Sequence, residues 1–357
     1  MKIYIFALFL SLFFCVFFKK YPRTSFVLAA MPFFIISAIR YDVGTDYMFR
    51  YVPDYLAIYN GRNVTNLELL FKLFVKICTF IAEDNYQILF VITSAVVVFG
   101  IFGAIYKYSK NKIFSIILFF ICGYFFGSMN LVRQYVAMAI LLLAYNYLNS
   151  EETGKWFLVC IIAFFIHSSS IILCILTLVL KNIKRITWQY VVFFVALYFI
   201  LQQPLKMLIE YIMSLSRYSV YINSVYNVSE VSITDIIQNI IIYFIMYHSY
   251  DVKKKNNELN KEDDLLINLQ FMTIIFILLG NTMILFDRVK VYFQIFQLIS
   301  IPHFLEGFKI KLNKRVFSIV ILILFTISII RSNVINNNNE VVPYRNIWNK
   351  ERELSND

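Results

Sequence analysis

The stretch YQILFVITSAVVVFGIFGAIYK, residues 86–107, is apolar over the length of one membrane crossing and ends in a lysine. An α-helix needs about 20 such residues to cross the hydrocarbon core of a bilayer. Similar runs recur along nearly the whole 357-residue chain, which is 60% hydrophobic and only 15% charged. Because the runs are continuous and do not alternate with polar residues, the sequence predicts an all-α polytopic membrane protein.

The runs predict about 10–12 transmembrane or partly inserted helices. Spans are expected near residues 3–18, 24–39, 86–107, 113–128, 131–149, 186–201, 233–249, 265–286, 289–306 and 315–331, with residues 67–83 and 156–180 as partly inserted segments. The first span is expected to be retained, because no small-residue cleavage site follows it. The expected organisation is one membrane domain over 1–331, with outer loops at 40–66 and 202–232, and a polar C-terminal tail over 332–357.

The positions of the basic residues predict how the chain is oriented in the membrane and do not indicate a nucleic-acid interface. The net charge of +11 comes from short clusters between apolar runs, at 19–23, 107–112, 181–185, 253–255 and 309–315. Lysine and arginine are enriched in cytoplasmic loops of membrane proteins, so these clusters are expected inside the cell and nucleic acid is excluded as a partner. The five cysteines lie in apolar runs without a CxxC pair, which indicates neither a disulfide framework nor a metal site.

This orientation determines where the two ambiguous segments lie. With residues 19–23 inside, the loop 40–66 is outside, so residues 67–83 are expected at the outer interface or partly inserted. The segment 156–180 is expected to enter the membrane and return, with a break at His167, because both of its flanks belong on the inner side.

Ionisable side chains collect at the predicted outer face, although each one costs about 2.5–3.5 kcal/mol at bilayer depth. They are Asp42, Asp46, Glu68, Arg133, His167, Asp287 and Arg288. Taken singly, each fits a structural interpretation such as a snorkelling arginine, a packing histidine or an interfacial ion pair. Their coincidence favours a polar site for an anionic, lipid-linked substrate. Arginines bind phosphate oxygens through paired hydrogen bonds, and a carboxylate or imidazole supplies a general base.

Five short motifs resemble one known family, in matching order over roughly residues 24–306. They are RYDVGTDYMFRY at 40–51, LELLFKLF at 67–74, MNLVRQYVAMAI at 129–140, FFIHSSSII at 164–172 and DRVKVYF at 287–293. The chain resembles the EpsG family, Wzy-like bacterial membrane proteins that polymerise exopolysaccharide or O-antigen repeat units. The family pattern marks Arg40, Gly44, Asp46, Tyr51, Glu68, Arg133, Gln134, His167, Arg288 and Tyr292.

The resemblance implies a glycosyltransferase of the bacterial cytoplasmic membrane that acts at the outer, periplasmic or exterior, face. Its partners would be an undecaprenyl-diphosphate-linked oligosaccharide donor, a lipid-linked acceptor and the bilayer, with no metal or other cofactor. We interpret Arg133 and Arg288 as diphosphate ligands, Asp46 or His167 as the base, and Glu68 as a supporting charge. The resemblance leaves open the sugars, the linkage, its stereochemistry and any chain-length regulator.

Two further roles are expected for residues that the family pattern marks. One concerns Arg40, Tyr51, Gln134 and Tyr292, and the other concerns Gly44. The first four would contact the diphosphate or the sugars, and Gly44 would be structural.

Two alternative functions stay open from the sequence. A flippase or exporter of lipid-linked oligosaccharide is expected to show internal repeats and midplane polar residues. A membrane O-acyltransferase acting on the glycan would use His167 as its base.

Overall fold

Helices supply the secondary structure of this protein, and no β-strand occurs among the described residues. The structure, a computed structural model, describes residues 1–150, 152–215, 233–280, 282 and 284–349. Residues 1–171 together with the chain from 322 onward form unit 1, and residues 172–321 form unit 2. The predicted all-α polytopic membrane fold is confirmed. The single membrane domain predicted over 1–331 stays a prediction.

The helices follow one another along the chain with short connections. They are α1 (Lys2–Phe17), α2 (Pro22–Ala38), α3 (Val52–Tyr59), α4 (Leu69–Ala82), α5 (Gln87–Tyr108), α6 (Lys112–Ile121), α7 (Tyr124–Asn130), α8 (Val132–Leu143), α9 (Tyr145–Asn149), α10 (Thr153–Ile166), α11 (Ser170–Leu180), α12 (Trp188–Ser214), α13 (Ile233–Lys255), α14 (Lys261–Gly280), α15 (Ile284–Gln294), α16 (Gln297–Glu306) and α17 (Lys311–Ile329). Two π-helical turns, Tyr47–Tyr51 and Ile330–Ile335, lie before α3 and after α17.

Four helices in the described part of the chain are long and apolar enough to cross a membrane on their own. These are α5, α12, α14 and α17 with its π-helical extension, and the bent pair α6–α7 is a fifth candidate. The helices α1, α2, α8, α10 and α11 are apolar but have only 10–17 residues each. The predicted spans therefore appear largely as helices, several of them shorter than a full crossing.

Unit 1 is built on a series of helices in which α1 packs on α2, α2 on α5, α5 on α8 and α8 on α10. Small residues allow the close approach of α5 and α8, where a Cβ on Gly100 would lie 3.1 Å from the Cβ of Ala139. Phe33 of α2 lies in the core, with its ring 4.8 Å from that of Phe125. This packing holds the ends of α2, α5, α8 and α10 in fixed positions.

The bend between α6 and α7 brings a polar helix end towards the loop after α2. The two helices meet at 52°, and Gly123 in the connection has a φ of +79°. Glycine adopts this left-handed conformation without a Cβ penalty. The short helix α7 then ends at Asn130, whose side chain contacts that loop.

The predicted break at His167 is present. Helix α10 ends at Ile166, His167 has an extended backbone, and α11 begins at Ser170. Because helix ends leave backbone N–H groups without intrahelical partners, the break makes the N–H of Ser168 available for another acceptor. The return of this segment to the inner side stays a prediction.

Helix α12 corrects one expectation. The sequence predicted a span at 186–201 followed by an outer loop from residue 202, but one helix runs through Pro204 to Ser214. Because proline removes only a single backbone donor, α12 continues through it. The helix is apolar and mostly exposed. The remainder of the outer loop predicted at 202–232, from residue 216, lies outside the described residues.

Helix α15 corrects a second expectation. Asp287 and Arg288 were predicted in a turn between two spans, but α14 already ends at Gly280 and both residues lie near the start of α15. A Cβ on Gly280 would lie 3.2 Å from backbone atoms of Asp287, so the glycine lets α15 fold back closely. The predicted span 289–306 is likewise divided between α15 and α16.

Unit 2 contains a buried charged cluster that the sequence did not reveal. Lys253 of α13 and His303 of α16 both contact the fully buried carboxylate of Asp263 on α14, His303 Nε2 at 2.7 Å from Asp263 Oδ1. Buried charges need such partners, because desolvation without them is costly. The cluster ties three helices of unit 2 together.

The polar C-terminal tail is packed on unit 1 as far as residue 349. Arg40 and Asn346 form an isolated antiparallel bridge, and the N–H of Ile347 donates to the carbonyl of Ile39 at 3.0 Å. Val341 is fully buried. The tail thus supports the loop that follows α2, and both segments lie at the same end of unit 1.

Candidate functional site

Three side chains from separate parts of unit 1 meet at the carboxylate of Glu68. Arg133 Nη1 donates to Glu68 Oε2 at 2.6 Å, and His167 Nδ1 lies 3.2 Å from Glu68 Oε1. Ser168 adds two bonds to Oε1, from its N–H at 3.2 Å and from its hydroxyl at 3.3 Å. The sequence placed Glu68, Arg133 and His167 at one face of the membrane, and the structure joins them in a group that we call the Glu68 cluster, with Ser168 as its fourth member.

Helix ends position all four members. Glu68 immediately precedes α4 and has an extended backbone, and its side chain makes no capping bond to that helix. Arg133 lies in the first turn of α8, and His167 and Ser168 follow the end of α10. Because α4 and α8 each contact α10, the three helix ends are held together by packing.

The carboxyl of Glu68 is kept ionised. Burial raises its pKa, but the hydrogen bond with His167, the charge of Arg133 and the N–H of Ser168 outweigh burial and lower the pKa to about 2. A carboxylate with so low a pKa is a weak proton acceptor at neutral pH. Glu68 is therefore suited to orient Arg133 and His167 and is a poor general base.

We expect Glu68→Gln to lower the melting temperature of the purified protein, by an amount that shrinks in acid. The folded-state pKa of about 2 lies below the ordinary glutamate value of about 4.3. A depressed pKa stabilises the folded state fully above the unfolded-state value, and the stabilisation is lost as the pH falls through the folded-state value. Melting curves of both proteins from about pH 5 downwards test this; a constant difference contradicts it.

Arg133 is largely buried, with 10% of its side chain exposed. Its Nη1 also donates to the backbone carbonyl of Asn66 at 3.3 Å, and its guanidinium lies 5.9 Å from the ring centre of Phe71. The hydroxyl of the buried Tyr51 accepts from the backbone N–H of Arg133 at 3.4 Å. These contacts hold the guanidinium beside the carboxylate and leave further N–H donors for a ligand.

The loop after α2 carries Asp46, the second candidate base. Asn130 at the end of α7 holds this loop, because its Oδ1 accepts from the N–H of Asp46 at 3.1 Å and from the hydroxyl of Thr45. The half-buried carboxylate of Asp46 makes no hydrogen bond within the described residues. Asp46 therefore lies on a loop that is held by the end of α7, and it is not a member of the Glu68 cluster.

Gly44→Ala is expected to lower the stability by about 1–3 kcal/mol. Gly44 has a φ of +100°, and an added Cβ would lie 2.8 Å from the carbonyl oxygen of Met129. Gly61→Ala is a matched control, because Gly61 also has a positive φ, +72°, but no atom lies within 4 Å of its added Cβ. Melting temperatures of both variants measure the difference, and equal losses contradict a role for close approach at Gly44.

Arg40 is a core residue in this fold. It is 1% exposed, donates to the carbonyl of Ser37 at 2.6 Å and to that of Met129 at 3.3 Å, and lies over the ring of Phe90 at 4.7 Å. These contacts connect α2, α5 and α7, so Arg40 supports the loop that carries Gly44. Its predicted contact with substrate stays a prediction.

The other predicted residues lie in different places. Gln134 is buried in α8 beside Arg133, whereas Arg288 and Tyr292 lie on α15 in unit 2. Arg288 is half-buried and Tyr292 is fully buried. The structure thus joins Glu68, Arg133 and His167 in unit 1, and the predicted pairing of Arg133 with Arg288 stays a prediction.

Sequence reasoning missed four contributors to the site: Arg50, Asn66, Asn130 and Ser168. Each lies within three positions of a residue that the family pattern marks: Arg50 precedes Tyr51, Asn66 lies two before Glu68, Asn130 lies three before Arg133, and Ser168 follows His167. Two of them act through backbone groups, the carbonyl of Asn66 and the N–H of Ser168. A side-chain pattern does not report backbone contacts, so sequence adjacency was the available signal.

The model of the EpsG family matches residues 23–346 of the chain. The match includes every member of the Glu68 cluster and extends to Asn346, the tail residue that pairs with Arg40. No curated protein and no solved structure gives a significant match. On this match over most of its length, the chain belongs to the EpsG family.

Proposed function

We propose that this protein is a polysaccharide polymerase. It would join undecaprenyl-diphosphate-linked oligosaccharide repeat units by glycosyl transfer at the outer face of the bacterial cytoplasmic membrane. The observation that carries the proposal is the Glu68 cluster, where a guanidinium, a carboxylate and an imidazole meet. Transfer from a sugar diphosphate needs a cation for the leaving group and a base for the acceptor hydroxyl, and the cluster supplies both.

Arg133 is the proposed ligand of the diphosphate. As the bond between the anomeric carbon and the phosphate oxygen breaks, its electron pair stays with the diphosphate, which gains negative charge. A preorganised guanidinium stabilises such charge strongly where water is scarce, and Arg133 is held by Glu68, Asn66 and Phe71. Its position changes little as charge develops, which is the condition for efficient electrostatic stabilisation.

His167 is the proposed base. The acceptor hydroxyl oxygen attacks the anomeric carbon, its proton passes to the imidazole, and the new glycosidic bond replaces the bond to the diphosphate. Glu68 accepts at Nδ1 of His167, which favours the tautomer with the proton on Nδ1 and leaves Nε2 as the basic nitrogen. The carboxylate also stabilises the imidazolium that forms, as an orienting carboxylate does in other acid–base sites.

The charge distribution supports the proposed placement at the outer face. The basic clusters assign the loop 40–66 and the end of the chain after α17 to the outer side. The bridge between Arg40 and Asn346 puts these two segments at the same end of unit 1, which supports that assignment. Lipid-linked repeat units are presented on this side when the sugars have already been translocated.

The test is the length of polysaccharide in cells that lack the gene. A polymerase leaves single repeat units at the outer face that do not lengthen, and the wild-type gene on a plasmid restores long chains. If repeat units accumulate at the inner leaflet, the protein is a flippase. If long chains persist but lose acyl groups, it is an acyltransferase, and either result contradicts the proposal.

A further inference from the structure

Arg50 is an arginine of the motif RYDVGTDYMFRY that the family pattern does not mark, and it lies next to Arg133. Its Nη2 donates to the backbone carbonyl of Asn66 at 3.1 Å, and Arg133 Nη1 donates to the same oxygen at 3.3 Å. Because both bonds end on one oxygen, Nη2 of Arg50 and Nη1 of Arg133 lie close to each other. Two guanidinium groups that the sequence separates by more than eighty positions are thus neighbours through one shared acceptor.

Each arginine of the pair has its own carboxylate partner. Glu68 contacts Arg133 at 2.6 Å, and Asp54 lies 3.8 Å from Nε of Arg50. The longer pair, between residues four apart at a partly exposed position, contributes little to stability. Repulsion between the two cations is therefore only partly offset, and an anion that contacts both would relieve it.

Arg50 also has donors that the protein does not use. No hydrogen bond in the described part of the chain engages its Nη1, and 33% of its side chain is exposed. It lies on the π-helical turn Tyr47–Tyr51, in which the neighbouring Tyr51 is buried against Arg133. Such turns occur often at functional sites, because they direct adjacent side chains in unusual ways.

We propose that Arg50 and Arg133 together bind the two phosphoryl groups of the lipid-linked substrate, with Arg50 as the solvent-accessible half of the site. The inference rests on the proposed function for the identity of the ligand and on unit 1 alone for its geometry. A diphosphate presents oxygens on two linked phosphorus atoms, and two adjacent guanidinium groups provide paired donors for both. The second diphosphate arginine is then Arg50, in the same unit as the base.

The test is binding of inorganic pyrophosphate to the purified full-length protein in nanodiscs of phosphatidylcholine, followed by phosphorus NMR. Arg50→Gln is expected to weaken binding about tenfold, because a charge-assisted hydrogen bond is lost. Arg50→Lys is expected to be intermediate, since lysine keeps the charge but not the planar fork. Arg62→Gln is the matched control, an exposed arginine of the following loop, and is expected to bind as the wild type does.

A second probe, glycerol phosphate, separates a diphosphate from a phospholipid headgroup. It is expected to bind more weakly than pyrophosphate and to lose little affinity in Arg50→Gln. The inference is overturned if Arg50→Gln binds pyrophosphate as Arg62→Gln does, or if glycerol phosphate binds as tightly as pyrophosphate. Melting temperatures of all variants verify that they are folded.

The same variants in cells distinguish this inference from the proposed function. Loss of pyrophosphate binding in Arg50→Gln together with shortened polysaccharide supports both. Loss of binding with polysaccharide of normal length supports the anion site but contradicts the diphosphate of the repeat unit as its ligand, whereas long chains in cells that lack the gene contradict the polymerase itself.

Discussion

Cells whose only copy of the gene carries Arg133→Gln are expected to make single repeat units and no long polysaccharide. Glutamine is too short to reach both Glu68 and a ligand, and it carries no charge to stabilise the leaving diphosphate. Removal of one such preorganised donor slows catalysis by about a hundred- to a thousandfold. Polysaccharide length on a gel, normalised to the amount of protein in the membrane, measures the effect.

Arg133→Lys separates catalysis from folding in the same assay. Lysine keeps a positive charge opposite Glu68, so the buried carboxylate retains a partner, but it lacks the planar fork of arginine. Chains of intermediate length are therefore expected. Arg40→Gln provides the contrast, because Arg40 lies in the core and its replacement is expected to lower the amount of folded protein. Chains of wild-type length from Arg133→Gln would rule out Arg133 as a diphosphate ligand.

His167→Ala is expected to reduce the polymerisation rate by about a hundred- to ten-thousandfold, the usual contribution of a general base. Asp46→Asn is expected to retain most of the activity. The difference follows from their surroundings, since Glu68 orients the imidazole of His167 whereas no hydrogen bond within the described residues orients the carboxylate of Asp46. The rate is measured with purified protein and a lipid-linked repeat unit as both donor and acceptor.

Ser168→Ala is the matched control for His167→Ala. It removes one hydroxyl bond to Glu68 but keeps the backbone N–H bond and the imidazole, so a small loss is expected. The opposite pattern, with Asp46→Asn inactive and His167→Ala active, would assign the base to Asp46 and leave the Glu68 cluster a structural role.

Much of the site could be predicted because charge is expensive in a membrane. The positions of basic clusters assigned loops to the two sides, and this assignment put Glu68, Arg133 and His167 on one face. The same parity argument predicted the break at His167, where α10 ends. Because a membrane restricts polar residues to few places, the sequence predicts their positions without any knowledge of packing.

Other features could not be predicted because they depend on contacts between distant segments. Arg50 looked like one more charge in the loop 40–51, and only the shared carbonyl of Asn66 shows that it adjoins Arg133. The polar tail after residue 331 has no apolar pattern that predicts packing, yet its backbone pairs with the residues after α2. The predicted span ended at residue 201, yet α12 continues to Ser214.

From the sequence alone we predict a helical, multi-spanning membrane protein of the EpsG family, which is confirmed, and a gathering of ionisable residues at one face of the membrane, which stays a prediction. Hydrophobic length and charge distribution are local properties, and they suffice to assign segments to the bilayer or to its sides. Which of those residues meet depends instead on tertiary contacts. Hydrogen bonds to Glu68 and to the carbonyl of Asn66 act over about 3 Å, and the packing of α4, α8 and α10 brings their donors within that distance.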